Sequence, residues 1–396
     1  MTTTTTPKIR STRLEALPPY LFAEIDRKKR AKIASGADVI NLGVGDPDRP
    51  TPQFIIEALQ KAAEDPRTHP YAPSRGYPEF RQAAANFMKR RFGVDADPDR
   101  HIISLLGSKD GISHLPCAVL NPGEVVCAPD PGYPVYTSGA IFSGAETHHM
   151  PLTADTGWTP NFDDIPEDVR KRARLLWANY PNNPTGATVD LSFFDELASF
   201  CAANDIIACS DHAYSEVYFE EAPPSLWQSS RAKLDETYAI EFHSLSKTFN
   251  MTGWRIAFAV GHPEVIDALA AVKDNHDSGV FGAVQLAGVE ALNQFDHPDV
   301  AAMREVYRER RDALTPGLRA MGCDVDPPRA GFFCWAKCPA GVDSMTFTSR
   351  CLDEANVVVI PGAGFSKHTG DWFRIALTVE VDRIAEAVER MKRIDW

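Results

Sequence analysis

The stretch LLWANYPNNPTG, residues 175–186, decides how this chain folds. Leu175, Leu176, Trp177 and Ala178 are apolar without alternation, the pattern of a short strand covered on both faces. From Asn179 to Gly186 come two prolines and three asparagines, too many turn formers for the strand to continue. The predicted result is a loop at the carboxyl end of a buried strand, where open α/β sheets bind ligands. A plain structural turn reads the same way from these residues alone.

Outward from there the pattern recurs. Residues 101–106, 125–128, 206–210, 238–242 and 256–260 are short apolar runs, separated by helix-length stretches such as 191–204. That alternation predicts an α/β domain on a mainly parallel sheet. Upstream, helical spacing over 55–63 and 79–91 flanks an irregular stretch with Pro66, Pro70 and Pro73. Downstream of Pro263 the spacing predicts helices over 264–274, 282–293 and 299–321, the last with arginines on its wet face. Apolar runs at 332–337, 357–360 and 372–377 and a helix over 381–391 then give an α+β texture. The expected division is an N-terminal arm with part of the small domain (1–50), a large α/β domain (51–290) and a small α+β domain (291–396). The first 50 residues cannot bury a core alone and should pack on the C-terminal part or on another subunit.

Composition narrows the class. The 396 residues include 41 basic and 54 acidic side chains, a formal charge of -13, which disfavours a polyanion as principal partner. No apolar stretch approaches the roughly 18 residues of a membrane helix. The opening MTTTTTPKIR lacks the hydrophobic core of an export signal, so a cytoplasmic location is expected. Eight cysteines without a CxxC pair predict neither a disulfide scaffold nor a metal knuckle; Cys334 and Cys338 read as buried thiols.

Four polar features follow predicted strands. Gly107-Ser-Lys-Asp-Gly111 opens a helix whose N–H groups can hold a phosphate, although an ordinary strand-to-helix turn looks similar. The loop 179–186 is the second. Asp211 with Tyr214 is the third, serving either a polar ligand or a helix cap. Ser244-Leu-Ser-Lys-Thr-Phe249 with Gly253-Trp-Arg255 is the fourth; a nucleophilic amine amid phosphate-binding groups explains it better than a surface lysine. A cofactor with a phosphate, a carbonyl that condenses with lysine, a ring nitrogen and a phenolic oxygen uses all four, and pyridoxal 5'-phosphate is that cofactor.

On these motifs, Ser244-x-Ser-Lys-x-x-x-x-x-x-x-Arg255 together with Asn183-Pro-Thr-Gly and Asp211-x-x-Tyr214, the chain resembles the class I/II aminotransferases of fold-type I. The resemblance runs from Asn41 to the last helix. It implies a mainly parallel seven-stranded sheet between helices with a smaller α+β domain, and a homodimer with shared active sites. It further implies Lys247 as the lysine that bonds the cofactor, Asp211 as partner of its ring nitrogen, and Tyr214 and Asn183 as partners of its phenolic oxygen. Tyr133 falls where an aromatic ring stacks on the cofactor. Ser108, Lys109, Ser244, Ser246 and Arg255 match the phosphate cradle, and Tyr71 matches a tyrosine that reaches the phosphate of the neighbouring subunit. Arg374 matches the arginine that grips the substrate α-carboxylate, with Gly43, Asn183 and Lys109 beside the substrate.

No arginine occurs between Arg255 and Arg304, which argues against the common aspartate-specific arrangement. Residues 106–116, 130–136 and 273–285 look most similar to bacterial LL-diaminopimelate aminotransferases, which implies a place in lysine biosynthesis and 2-oxoglutarate as the other partner. Asn275, Ser278 and Gln285 are candidates for the distal end of the substrate, or else interface residues; a pocket near Tyr20, Phe22 and Phe281 would instead favour apolar donors. Alanine, aspartate, methionine or aromatic aminotransferase activity, and a C–S lyase, are the alternatives on the same fold. A DNA-binding regulator is not expected, because the family match begins by Asn41. No metal is expected.

Overall fold

The computed structural model describes residues 9–17 and 22–396; Tyr20 lies outside the described residues. Seven strands form the large sheet: β1 (Ile102–Leu105), β2 (Val125–Asp130), β3 (Glu146–Pro151), β4 (Ala173–Asn179), β5 (Ile207–Asp211), β6 (Ala239–Ser244) and β7 (Ala257–Gly261). Their order is β1-β7-β6-β5-β4-β2-β3. Neighbours are parallel except β7, which runs against both β1 and β6.

The continuous apolar runs have the reason anticipated from sequence. Along β4, Leu176 and Ala178 join one core while Leu175 and Trp177 join the core on the other face. Pleat alternation thus spends every residue from Leu175 onward on a buried surface. One face is covered by the helices Pro78–Phe92, Leu191–Ala203 and Gly282–Asn293, the other by Ser108–Val119, Val135–Ser143 and Pro263–His276. Strand β3 has no such run. At the sheet edge its residues Glu146, His148 and His149 lie partly or wholly in solvent, so it carries little apolar signal.

A second, antiparallel sheet orders Ile360–Pro361, Trp372–Ala376, Phe333–Lys337 and Asp324–Val325. The N-terminal segment joins this end of the molecule: Ile40–Asn41 pairs in parallel with Val357–Val358, and Lys32 donates to the Asp353 carbonyl at 2.7 Å. The helix Pro298–Ala320 links the two cores, with Val300 in the core of the large sheet and Leu314 and Leu318 in the other. Arg310 on that helix is buried and grips Asp48 through two hydrogen bonds of 2.7 Å, fixing the segment after Gly45. All eight cysteines are free thiols, buried except Cys117. No helix among the described residues is long and apolar enough to cross a membrane.

Candidate active site

Parallel strands deliver their carboxyl ends to one rim, and the chain leaves polar residues at each. Ser108 and Lys109 follow β1, Tyr133 follows β2, Asn179 ends β4 and Asn183 lies in the loop beyond it. Asp211 ends β5, and Ser244 ends β6 just before Ser246 and Lys247. Because β7 is reversed, its leading residues Thr252, Gly253 and Arg255 reach the same rim. The smaller sheet closes the opposite wall with Phe333 and Arg374, and Gly45 and Asp46 border the opening. Together they line a cavity of about 540 Å³.

Opposite charges sit at its centre. The Lys247 ammonium donates to the Gly45 carbonyl at 3.1 Å. Burial pushes its pKa down to about 8; Asp46 opposes the shift, while Arg255 and Arg374 add to it. Burial likewise pushes the Asp211 carboxyl up to about 6, against the Tyr136 hydroxyl and the Ala213 N–H. Tyr136, itself buried and stacked on Trp177 at 5.0 Å, donates to Asp211 Oδ2 at 2.8 Å. Asp211 Oδ1 is buried without a partner. Burial also raises the Tyr214 phenol, keeping it a hydrogen-bond donor at neutral pH.

At one end of the cavity the helix Ser108–Val119 points its amino terminus inward. The preceding Gly107 has φ 84°, and a Cβ there would stand 2.3 Å from Arg255 Nη2, so glycine alone lets the arginine approach. Arg255 is held in turn by the carbonyls of Thr252 at 2.6 Å and Leu106 at 3.2 Å. Ser244 Oγ accepts the Ser246 N–H at 3.3 Å. Backbone donors, hydroxyls and two cations on a helix amino terminus make an anion site.

At the other end Arg374 is buried, and burial lowers its pKa to about 10. Its Nη1 donates to Asn183 Oδ1 at 2.8 Å, its Nη2 to the Gly43 carbonyl at 2.9 Å, and its guanidinium lies 4.2 Å over the Phe333 ring. Gly43 is confined as well, since a Cβ would meet Ile360 Cδ1 at 2.8 Å. No carboxylate among the described residues is in ion-pair contact with Arg374, so the fork is oriented by neutral groups and faces the cavity with its charge unspent.

Of the residues assigned from sequence to the cofactor, the reacting amine and the α-carboxylate, all but Gly43 and Tyr71 line the cavity, and Gly43 reaches it through Arg374; the distal candidates Asn275, Ser278, Phe281 and Gln285 do not line it. Tyr71 is 89% exposed and away from it. Gln285 is no ligand of this cavity: fully buried, it accepts the Tyr77 N–H at 2.6 Å and donates to the Val280 carbonyl at 2.7 Å. Asn275 donates to the Ala271 carbonyl of its own helix. Sequence reasoning missed Tyr136, Asn179 and Asp46. Asn179 donates to the Asp211 carbonyl at 2.8 Å and accepts the Asn183 N–H at 2.9 Å, tying two strand ends together. The signal for Tyr136 was available, as the second tyrosine after the turn that ends β2.

A ligand with a phosphate at one end, an aldehyde within reach of Lys247 and a ring nitrogen facing Asp211 meets each of these groups. The unpartnered Oδ1 is the atom such a nitrogen needs, so the residues present fit pyridoxal 5'-phosphate. The family description Aminotransferase class I and II matches residues 37–391. Over 385 residues the chain is 50% identical to the LL-diaminopimelate aminotransferase of Aquifex aeolicus (strain VF5), covering 97% of this chain and 98% of that one. The enzyme of the same name from Syntrophobacter fumaroxidans (strain DSM 10017 / MPOB) is 46% identical over 388 residues, covering 98% and 99%. Among solved structures, substrate-bound BacF from Bacillus subtilis aligns with a TM-score of 0.93 at 36% identity over 98% of each chain. A double mutant of Thermus thermophilus aspartate aminotransferase aligns at 0.91 and 29% identity, over 98% of this chain and 100% of that one. With a match along nearly its whole length and a cavity whose charges suit the chemistry, the chain belongs to the class I and II aminotransferases, fold-type I transaminases dependent on pyridoxal phosphate.

Proposed function

We propose that this enzyme moves an amino group between LL-diaminopimelate and 2-oxoglutarate, aminating tetrahydrodipicolinate on the route to lysine. The observation that carries the reading is the 50% identity, over nearly the full length of both chains, to a relative bearing that name. The lack of any arginine between Arg255 and Arg304 supports it from the other side, by disfavouring a bare distal carboxylate as the common feature of donors.

Pyridoxal phosphate, when bound, supplies an aldehyde that takes the substrate amine and a ring that draws electrons from the substrate Cα. The protein's own groups do the rest. Ser108, Lys109, Ser244, Ser246 and Arg255 bind the phosphate. Asp211, held by Tyr136 at one oxygen, uses the other to keep the ring nitrogen protonated. Tyr214 and the side-chain amide Nδ2–H of Asn183 orient the phenolic oxygen, and Tyr133 flanks the ring. Arg374 offers a planar fork to the substrate α-carboxylate, beside Gly43 and Lys109, which turns the Cα–H toward Lys247. Lys247 Nζ, with its pKa drawn down toward the working pH, takes that proton and returns it.

In the same proposal residues 51–290 form the cofactor-holding domain, 1–50 the arm with part of the small domain and 291–396 the rest of the small domain. The enzyme works in the cytoplasm as a homodimer in which Tyr71 serves the neighbouring site. The test is kcat/KM with 2-oxoglutarate for LL-diaminopimelate, alanine, aspartate, methionine and phenylalanine under identical conditions. LL-diaminopimelate should lead. A lead of about tenfold or more by any other donor, equivalent to about 1.4 kcal/mol in the transition state, overturns the substrate assignment.

A further inference from the structure

The turn that presents Ser108 and Lys109 is closed by Asp110: its Oδ2 accepts the Leu106 N–H at 2.9 Å, while its own N–H donates to the Gly107 carbonyl at 3.1 Å. That same oxygen accepts a second hydrogen bond, 2.6 Å from the ammonium of Lys273, a residue with no exposed surface. Lys273 also donates to Asp277 Oδ2 at 2.8 Å. The other oxygen of Asp277 takes the Gly279 N–H at 2.7 Å. Gly279, at φ 80°, packs on the segment after Tyr71 so closely that a Cβ would stand 3.0 Å from the Pro73 carbonyl. One buried ammonium therefore joins the phosphate-facing turn to the segment that bears Tyr71. His114 Nδ1 lies 2.8 Å from Asp110 Oδ1. Asp110, His114 and Asp277 thus bring potential metal-binding atoms within 4.8 Å of one another, but Lys273 already stands between the two carboxylates as their cation.

We propose that Lys273 is a positioning residue for the phosphate end of the cavity, acting through Asp110, whose charge it neutralises and whose place in the turn it fixes. The proposal rests on reading that end as a phosphate cradle. An unpaired Asp110 carboxylate, two residues from Ser108, opposes a phosphate dianion at the same helix terminus. An apolar residue at 273 could fill the space but leaves that carboxylate only the Leu106 N–H and the His114 ring, without its lysine.

The experiment measures binding of inorganic phosphate, pyridoxal 5'-phosphate and pyridoxal to the full-length, cofactor-free protein. Lys273→Met should weaken both phosphate-bearing probes about tenfold or more and leave pyridoxal within about twofold, because only the former engage the cradle. Adding Asp110→Asn, which keeps an acceptor for the Leu106 N–H and removes the stranded charge, should restore most of that loss. Equal weakening of pyridoxal and its phosphate, no weakening at all, or no rescue in the double variant overturns the proposal. If Lys273→Met does not fold, Asp110→Asn alone decides: phosphate affinity should be no lower than in the parent, and a fall of about threefold or more overturns it. A parent protein that holds pyridoxal as tightly as its phosphate, and ignores inorganic phosphate, would instead remove the cradle reading itself.

Discussion

Lys247 and Asp211 are both displaced from their ordinary titration by the same cause, burial, and in directions that make each less charged. In the cofactor-free protein the Lys247 amine should react with an amine reagent along a curve centred near pH 8. Asp46 favours the ammonium form, so Asp46→Asn should move that midpoint to lower pH, with Lys247→Ala as the blank; a midpoint that stays put removes Asp46 from the balance. For Asp211 the folded pKa of about 6 lies above the unfolded value, so the folded chain holds the extra proton between the two. Its contribution to stability is therefore fully present in acid and lost as pH rises through about 6. Urea unfolding of the cofactor-free protein should show the parent losing up to about 3 kcal/mol relative to Asp211→Asn between pH 4 and 7. A flat difference across that range contradicts the burial of this carboxylate.

Among the elements, the helix Pro298–Ala320 contributes to both cores. Arg310 is 1% exposed, and its two bonds to Asp48 pin the loop carrying Gly45 and Asp46. Asp48→Ala leaves that guanidinium the Leu377 carbonyl at 3.0 Å and the longer Glu380 contact at 3.5 Å, and should destabilise the protein by about 2 kcal/mol in denaturant unfolding. It should also raise KM more than it lowers kcat, since the loop borders the cavity without supplying the reacting amine. Such a pair is invisible in sequence, because Asp48 and Arg310 are distant in the chain and each looks like surface charge. Lys273 hides for the same reason, passing for a solvated cation in the last turn of its helix. What sequence discloses is what has a local cause. Buried strands show as apolar runs, and Lys247, Asp211 and Asn183 stand in dense polar turns just after them. Strand β3 escapes because an edge needs few apolar residues, and Ile40–Asn41 because two residues make no pattern. Gln285 misleads as a polar candidate until its two backbone partners, from a loop and a helix start, are seen.

At the scale of the molecule, Tyr71 is an aromatic residue 89% exposed on a segment whose backbone is anchored, with Gly76 donating to the Pro73 carbonyl at 2.8 Å and Ser104 to the Arg75 carbonyl at 3.0 Å. A ring presented to solvent next to an anchored stretch of backbone suits delivery to another subunit. Mixing Tyr71→Phe with Lys247→Ala protein should form hybrids in which one site carries both lesions and its partner neither, so activity should exceed the sum of the separate preparations. Sedimentation at low concentration checks the assembly, and a fully active monomer refutes it. The reversed direction of β7 bears on how such a molecule can change over generations. The loop of residues 245–256 leaves and re-enters the sheet at adjacent strands, with Ser244 opposite Ala257, so both its ends are clamped in register. Insertions or deletions inside it alter the spacing between Lys247 and Arg255 directly, with no crossover helix to absorb the change. Away from the cavity-lining residues such as Ser246, Lys247 and Arg255, that segment should tolerate substitution better than any change of length, while the turns joining helices to strands on the opposite rim are free to grow.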